Sequence, residues 1–257
     1  MSKDDASEDA VTSDKRRQVI VVADAGAIAE TAARRLLARL KDAKGRAAVG
    51  LTGGSSPERL YRLLAQAPWR GEVPWDRVHW FIGDDRFVLE TDPLSNMGMA
   101  RRLFLAPVGA PPGNIHPIPT DTNYPEAAAR LYEDELKSFY GADRLDPARP
   151  LFDLVLMGLG PDGHTASLFP NSRALDEKER WVVGVAKAGF EPHVPRVTLT
   201  FPALASTREM LFEVDGTDKR DILRRVLGGE DLPAARAQAV GDLVWLIDRA
   251  AAPKEYS

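Results

Sequence analysis

The chain of 257 residues contains no cysteine and only four histidines. The absence of cysteine excludes disulfides, thiolate nucleophiles and thiolate metal ligands, and it is compatible with the reducing cytoplasm. No apolar run approaches the roughly 18 residues that a membrane-spanning helix needs. Basic residues are not in excess, because the net charge is −4, and a general nucleic-acid binder usually has a basic face. We therefore expect a cytoplasmic protein that binds neither membranes nor nucleic acid.

The N-terminal residues 1–17 are polar and lack the apolar segment of a secretory signal. We expect them to form a disordered leader. Apolar residues make up 44% of the whole chain, which is an ordinary value for a globular protein with a sizeable core. Because no repeat, low-complexity tract or linker interrupts the remainder, we expect residues 18–257 to form a single domain.

Short apolar runs alternate with amphipathic helical patterns along the chain. Strands are predicted at 18–23, 47–51, 78–82, 154–157, 181–186, 196–200, 210–214 and 243–247. Helices are predicted at 27–43, 57–67, 95–105, 124–140 and 218–227, and a proline-rich loop at 106–119. This alternation predicts an α/β fold with a mostly parallel, Rossmann-like sheet and helices on both faces.

The stretch 151–170 joins an apolar run, typical of a strand buried on both faces, to the turn Gly158-Leu-Gly-Pro-Asp-Gly-His164. Its glycine spacing matches the dinucleotide-binding pattern G-x-G-x-x-G. That pattern opens a long helix, whereas Pro170 leaves room for a helix of only about two turns. The acidic residue required at the end of the next strand is missing, because Asp176 and Glu177 precede that strand. We therefore expect no nicotinamide cofactor, and no Walker sequence occurs.

A second glycine loop, Thr52-Gly53-Gly54-Ser55, leads from a predicted strand into a helix. Ser55 and Glu58 have the spacing of a capping box, which would make the loop a well-capped helix start. The same loop would also suit an anion, because glycines expose backbone N–H groups at the positive end of a helix and the hydroxyls add donors. The loop alone leaves both interpretations open.

Arg86 lies just past the predicted strand 78–82, next to Asp84 and Asp85. At the carboxyl end of a strand, its guanidinium would be placed to bind a phosphate in a bidentate manner. The alternative is an ion pair between Arg86 and the neighbouring aspartates.

His164 stands out among the histidines because it follows a glycine and Asp162 in a turn. His79 lies in a predicted strand, where packing is the simpler role, and His116 and His193 lie in proline-rich loops without a partner pattern. Neither a histidine spacing typical of zinc sites nor a G-x-S-x-G elbow occurs. His164 is therefore either the cap of the short helix expected after it, or a general base for a substrate that is already labile.

Several motifs together resemble those of the 6-phosphogluconolactonase family. The similar segments are Gly158–Pro170, Thr52–Pro57, Asp85-Arg86, Ser95-Asn96, Pro195–Thr200 and Gly216 with Lys219. They occur in the family's order over about 50–220 of the chain. The resemblance implies a fold related to glucosamine-6-phosphate isomerase/deaminase and ribose-5-phosphate isomerase. It also implies hydrolysis of 6-phospho-D-glucono-1,5-lactone to 6-phosphogluconate, in the oxidative pentose phosphate pathway, without a metal.

The resemblance also implies roles for individual residues. His164 would activate water against the lactone carbonyl, with Asp162 beside it in the pocket. The phosphate end would be formed by Thr52, Gly53, Gly54, Ser55 and Arg86, with Arg196 and Lys219 as further cations. No cofactor and no partner other than the sugar-phosphate lactone is expected, and the chain would be a monomer or a weak homodimer. Many relatives carry glutamate where this chain has Asp85, which leaves the role of Asp85 open.

Two other functions remain as alternatives. Amino-sugar-phosphate deaminase-isomerases have a similar turn, but it continues to a carboxylate that assists ring opening, whereas here Thr165–Pro170 contains no acid. A non-catalytic sugar-phosphate-binding protein would keep the cations but would not need His164. Both differences favour hydrolysis.

Overall fold

The computed structural model describes residues 17–256 of the chain. Residues 1–16 of the expected leader lie outside the described residues, and Arg17, which the sequence assigned to the leader, is the first residue of the first strand. The leader and the single domain over 18–257 stay predictions. Within 17–256, no helix has the length and apolar character needed to cross a membrane.

The described elements follow the predicted alternation. The strands are β1 (Arg17–Val22), β2 (Ala47–Leu51), β3 (Val78–Ile82), β4 (Asp84–Arg86), β5 (Ile115–His116), β6 (Leu154–Met157), β7 (Val182–Val185), β8 (Arg196–Leu199), β9 (Glu209–Val214) and β10 (Asp242–Asp248). The helices are α1 (Ala25–Asp42), α2 (Ser55–Leu64), α3 (Asn96–Ala100), α4 (Ala106–Val108), α5 (Pro125–Tyr140), α6 (Phe201–Ala205) and α7 (Arg220–Leu227). A π-helical segment, Arg101–Leu105, joins α3 to α4.

The strands form two sheets. The larger has seven parallel strands in the order β1-β10-β9-β6-β2-β3-β5, which confirms the predicted parallel sheet. The smaller is antiparallel, with the order β4-β8-β7. The sequence did not predict this second sheet, because β4 has only three residues and carries no apolar alternation.

Helices cover both faces of the large sheet, as predicted. Successive residues of a strand point to opposite faces, and β3 shows the result directly. The ring of Trp80 packs on Phe104 of the π-helical segment, with centroids 5.2 Å apart. The ring of Phe81 packs on Phe139 of α5, with centroids 4.9 Å apart. Every residue of β2, β6 and β9 is buried, which is typical of parallel strands covered on both sides.

The order in which the strands are added to the large sheet changes direction between β2 and β6. From β2 the chain continues to β3 and β5 on one side, whereas from β6 it continues to β9 and β10 on the other. The carboxyl ends of β2 and β6 therefore lie side by side at a topological switch point, where open α/β sheets bind their ligands. The loop Thr52–Gly54 follows β2, and the turn that begins at Gly158 follows β6.

We expect Gly184→Ala to lower the free energy of unfolding by about 1–3 kcal/mol. A Cβ at this position of β7 would lie 2.5 Å from the backbone nitrogen of Glu126 in α5. Gly113→Ala is the matched control, because nothing lies within 4 Å of its Cβ position, and we expect it to change the stability by less than about 0.5 kcal/mol. Chemical denaturation measures both variants, and equal stabilities would contradict the close packing of β7 on α5.

Candidate active site

A cavity of about 380 Å³ opens at the carboxyl ends of β2 and β6. Its lining includes every residue that the sequence placed at the site except Asp162: Thr52, Gly53, Gly54, Ser55, Arg86, His164, Arg196 and Lys219. The volume falls in the range typical of pockets for small molecules. The structure therefore brings together residues that are up to 167 positions apart in the chain, from 52 to 219.

His164 is oriented by Asp162, which does not itself line the cavity. The Nδ1 atom of His164 lies 2.5 Å from Oδ1 of Asp162, which also accepts the backbone N–H of His164 at 3.1 Å. Burial acts to raise the pKa of Asp162, but the hydrogen bond and the charge of His164 outweigh it, so this pKa lies below its ordinary value. A carboxylate acceptor requires the proton on Nδ1, which leaves the lone pair on Nε2. Nε2 has no partner among residues 17–256.

The turn around His164 is not followed by the short helix that the sequence predicted. Residues 161–172 form turns and one isolated bridge between Thr165 and Leu168, so His164 is not a helix cap. The turn closes through Gly160 N–H to the carbonyl of His164 at 2.8 Å. A Cβ on Gly160 would lie 2.1 Å from Nδ1 of His164, and Gly163 has a φ of 85°. Both glycines are therefore required by the turn.

The loop after β2 leads into α2 without a capping box. Gly54, with a φ of 117°, is the N-cap, and no side chain caps the helix. The predicted cap by Ser55 is wrong, because Ser55 is already the first helical residue and lies one position too late to cap it. The backbone N–H groups of Ser55 and Ser56 have no acceptor in the described part of the chain. Both line the cavity, where they offer two donors to an anion at the positive end of the helix.

Arg86 and Arg196 lie side by side on neighbouring strands of the small sheet. They are directly opposite residues of β4 and β8, so their side chains lie on one face with Cβ atoms roughly 5 Å apart. Burial, and then the charge of Arg86, lower the pKa of Arg196. The Nε atoms of both guanidiniums are buried without a partner among residues 17–256. Two like charges with unsatisfied donors would be stabilised by an anion between them.

The alternative role for Arg86, an ion pair with a neighbouring aspartate, is absent from the described residues. Instead, Arg86 donates to the carbonyl of Leu94 at 3.0 Å and to Oδ1 of Asn96 at 2.5 Å. Oδ1 of Asn96 lies only 2.0 Å from the position that a Cβ of Gly53 would occupy. Gly53 is therefore needed for the glycine loop to approach the amide that holds Arg86.

Asp85 is buried and organises the segment that holds Arg86. Its carboxylate accepts the backbone N–H groups of Arg86, Asn96 and Met97 at 2.7–3.0 Å, and the hydroxyl of Ser95 at 3.0 Å. Burial raises the pKa of Asp85 to about 6, although these hydrogen bonds act to lower it. The role that the sequence left open is therefore structural, because Asp85 fixes the segment beneath the guanidinium rather than lining the cavity.

The cavity wall near His164 carries a lysine and two aromatic rings, those of Phe169 and Phe190. Nζ of Lys219 donates to the carbonyl of Leu159 at 2.9 Å, which places this cation beside the glycine turn. The rings of Phe169 and Phe190 lie 4.7 Å and 5.9 Å from the ring of His164. The imidazole is therefore held between a carboxylate and apolar rings.

The remaining histidines do not line the cavity. His79 packs on Phe139, as predicted, but it also contacts His116, with Nδ1 and Nε2 2.9 Å apart. His116 in turn contacts Glu135 at 2.5 Å, a partner that the sequence did not indicate. No cluster of three or more His, Asp or Glu side chains suited to a metal ion occurs among the described residues.

Three residues that line the cavity, Asn96, Asp215 and Glu213, were not predicted as site residues from the sequence. Asn96 belongs to a recognised motif, but nothing in its position indicates that it holds a guanidinium. Asp215 accepts the hydroxyl of Ser56 and pairs with Arg59 at 2.7 Å. Glu213, two residues earlier on β9, is buried at the edge of the cavity. The sequence does contain a signal for Glu213 and Asp215, because two acidic residues, two positions apart, lie at the carboxyl end of the predicted strand 210–214.

Comparisons with known proteins show the family and the fold of this chain. Residues 23–245 match the family described as glucosamine-6-phosphate isomerases/6-phosphogluconolactonase. The chain is 39% identical over 212 residues to the 6-phosphogluconolactonase of Synechocystis sp., covering 81% of this chain and 84% of that protein. It is 39% identical over 247 residues to that of Mycobacterium leprae, covering 92% and 97%. The crystal structure of 6-phosphogluconolactonase from Thermotoga maritima superposes with a TM-score of 0.78 at 29% identity, covering 91% and 100%.

We expect Asp85→Asn to lower the free energy of unfolding by about 2–3 kcal/mol. An amide offers fewer acceptor sites than a carboxylate, and its NH₂ group would face buried N–H donors. Asp92→Asn is the control, because the carboxylate of Asp92 accepts a single N–H, from Leu94 at 2.8 Å, and an amide oxygen replaces that acceptor. Thermal unfolding of both variants measures the difference, and a loss no larger than that of the control would show that Asp85 does not organise this segment.

Proposed function

Because this chain belongs to the family of glucosamine-6-phosphate isomerases and 6-phosphogluconolactonases, we propose that it hydrolyses 6-phospho-D-glucono-1,5-lactone to 6-phosphogluconate. The observation that carries the proposal is that one cavity contains both an oriented histidine and two arginines whose Nε atoms have no partner among residues 17–256. The first suits a general base and the second suits a phosphate. This substrate presents a carbonyl to attack at one end and a dianionic phosphate at the other.

The phosphate would bind between the glycine loop and the small sheet. On one side are the free N–H groups of Ser55 and Ser56, and on the other the guanidiniums of Arg86 and Arg196. The pKa of Arg196 is lowered first by burial and then by the charge of Arg86, and a dianion between the two guanidiniums would offset both effects, which supports this assignment. Gly53, Gly54 and the hydroxyl of Thr52 would line the same end, and Lys219 would stand at the far side near the turn.

The reaction would take place at His164. Nε2 removes a proton from water while the water oxygen bonds to C1 of the lactone, and the carbonyl electrons move onto the oxygen to give a tetrahedral oxyanion. The oxyanion then collapses, the bond between C1 and the ring oxygen breaks, and the proton on Nε2 passes to that oxygen, which leaves as the C5 hydroxyl. The carboxylic acid ionises on release. One positioned base is sufficient, since the ester is already reactive and bound in one orientation.

Asp162 would act as a positioning residue for His164. Its hydrogen bond to Nδ1 fixes the tautomer that leaves Nε2 unprotonated, and its charge stabilises the imidazolium formed during attack. Because Asp162 does not line the cavity in the described structure, a direct bond to a sugar hydroxyl is the less suitable role. No metal or cofactor takes part in the proposed reaction.

The finer predictions about assembly and location also stay proposals. A monomer or weak homodimer is supported by the small number of large apolar side chains that are exposed in the described chain: Leu89, Tyr124, Leu131, Phe190 and Tyr256. The cytoplasmic location rests on the amino-acid composition alone.

We expect His164→Ala to reduce turnover of the lactone by about 10²–10⁴-fold, which is the usual contribution of a general base. Binding of 6-phosphogluconate should remain, since the phosphate end is untouched. The measurement is acid release from freshly generated lactone, with spontaneous hydrolysis subtracted. His193→Ala is the control, because this exposed histidine does not line the cavity.

Undiminished turnover in His164→Ala would remove the base assignment. A wild-type protein that releases no acid from the lactone, but releases ammonia from glucosamine-6-phosphate, would replace hydrolysis with the deaminase-isomerase reaction.

We expect Arg86→Ala to raise KM for the phosphorylated lactone by roughly 10–100-fold, with a smaller effect on kcat, because a charge-assisted contact to phosphate is worth about 1.5–3 kcal/mol. Turnover of unphosphorylated gluconolactone should change little. The control is Arg34→Ala, which removes an exposed arginine on the outer face of α1. If Arg86→Ala leaves the ratio of activities on the two lactones unchanged, Arg86 does not recognise the phosphate.

A further inference from the structure

Glu213 is a buried carboxyl that the proposed mechanism does not use. It lies near the carboxyl end of β9, its residue is only 2% exposed, and it is one of the residues around the cavity. Neither Oε1 nor Oε2 has a hydrogen-bond partner among residues 17–256. A buried carboxylate without partners is strongly unfavourable, whereas the neutral acid costs much less.

The surroundings of Glu213 place it beneath the phosphate end of the cavity. Asp215, the first residue after β9, accepts the hydroxyl of Ser56 at the start of α2. Burial, and to a smaller extent the nearby charge of Glu213, raise the pKa of the Tyr61 hydroxyl on α2, and that hydroxyl bonds both the N–H and the carbonyl of Thr52. Glu213 therefore lies next to the residues that support the glycine loop.

Within the described residues, no cationic side chain is bonded to Glu213. Arg35 and Arg39 of α1 are paired with Glu209 at the other end of β9, and Arg59 of α2 is paired with Asp215. The charged or titratable groups around this end of β9 are Glu58, Arg59, Tyr61 and Arg62 on α2, Asp215 just after β9, Asp218 and Lys219 in the following turn, and Asp248 on β10. Burial, and then the charge of Asp215, raise the pKa of Glu213 to about 8.

We propose that Glu213 is a further determinant of substrate binding, and that its carboxyl must carry a proton for the cavity to bind a dianionic phosphate tightly. The inference rests on the proposed function, which supplies the phosphate. An ionised Glu213 adds an unpaired negative charge below the glycine loop, close to Asp215, and its burial keeps solvent from screening it. A bound phosphate and an ionised Glu213 therefore repel each other. Phosphate binding favours protonation of Glu213, and protonation of Glu213 favours phosphate binding.

Proton linkage in the unaltered protein gives the first test. Near pH 8 about half of the Glu213 carboxyls would be ionised, so binding of 6-phosphogluconate should take up as much as roughly half a proton per ligand. The phosphate of the ligand is already dianionic at this pH, since its second pKa is about 6. Calorimetric titration in two buffers with different heats of ionisation measures the uptake. The Kd should rise roughly tenfold from about pH 7 to about pH 9.

Three variants assign the proton to Glu213. Glu213→Gln keeps the size of the side chain but cannot ionise, so its Kd should change less than about twofold over the same range and proton uptake should disappear. Glu213→Asp retains a carboxyl and should retain the pH dependence. Glu30→Gln on the exposed face of α1 is the control, and it should behave as the unaltered protein does. Circular dichroism checks that each variant is folded.

The outcomes separate this inference from the function on which it rests. Tight binding of 6-phosphogluconate without proton uptake near pH 8, or a pH dependence that persists in Glu213→Gln, overturns the role of Glu213 and leaves the proposed function intact. Absence of binding at every pH overturns the proposed function, and the inference with it. Proton uptake that is lost in Glu213→Gln and kept in Glu213→Asp supports the inference, because a merely structural carboxyl would not produce it.

Discussion

The pairing of β2 with β6 is the constraint on which the site depends. Val49 is opposite Leu154 and Gly50 is opposite Val155 in this parallel pair. Because parallel strands end at the same edge of a sheet, the loop after β2 and the turn after β6 leave the sheet side by side. A Cβ on Gly158 would lie only 3.8 Å from the carbonyl oxygen of Gly53. Two separate glycine motifs therefore become the two walls of one cavity.

Groups whose charges have the same sign when ionised lie close together at two places around this cavity. Arg86 and Arg196 are opposite each other on the small sheet, and Asp215 follows Glu213 by two residues, just past the end of β9. Such arrangements are unfavourable in a folded protein without ligand, so the rest of the structure must hold them in place. The hydrogen bonds around Asp85 do this for Arg86. A bound dianion relieves the repulsion between the arginines, whereas it increases the cost of ionising Glu213, and this contrast couples proton binding to phosphate binding.

Much of this structure could be predicted from the sequence, and the parts that could not have local reasons. The parallel sheet follows from short apolar runs that alternate with amphipathic helical patterns, and His164 follows from a motif of many residues. The strand β4 was missed because three polar residues carry no strand pattern, and its pairing with β8 is a contact over more than a hundred residues. The helix expected after His164 does not form, since a bridge between Thr165 and Leu168 closes the turn instead. The lack of an ion pair at Arg86 depends on Asn96 and Leu94, whose approach no local pattern encodes.

The spacing between the phosphate end and the reacting end is set by buried hydrogen bonds rather than by the loops themselves. The hydroxyl of Ser167, three residues after His164, donates to Asp84 of β4 at 2.6 Å, and its N–H donates to the hydroxyl of Thr198 in β8 at 3.2 Å. Ser167, Asp84 and Thr198 are all buried. The turn that carries the base is thereby attached to the small sheet that carries both arginines. A catalytic base is effective only when it lies within about an ångström of its productive position relative to the substrate. Because the turn and the small sheet cannot shift independently, the binding energy gained at the phosphate can be used to position the carbonyl at His164.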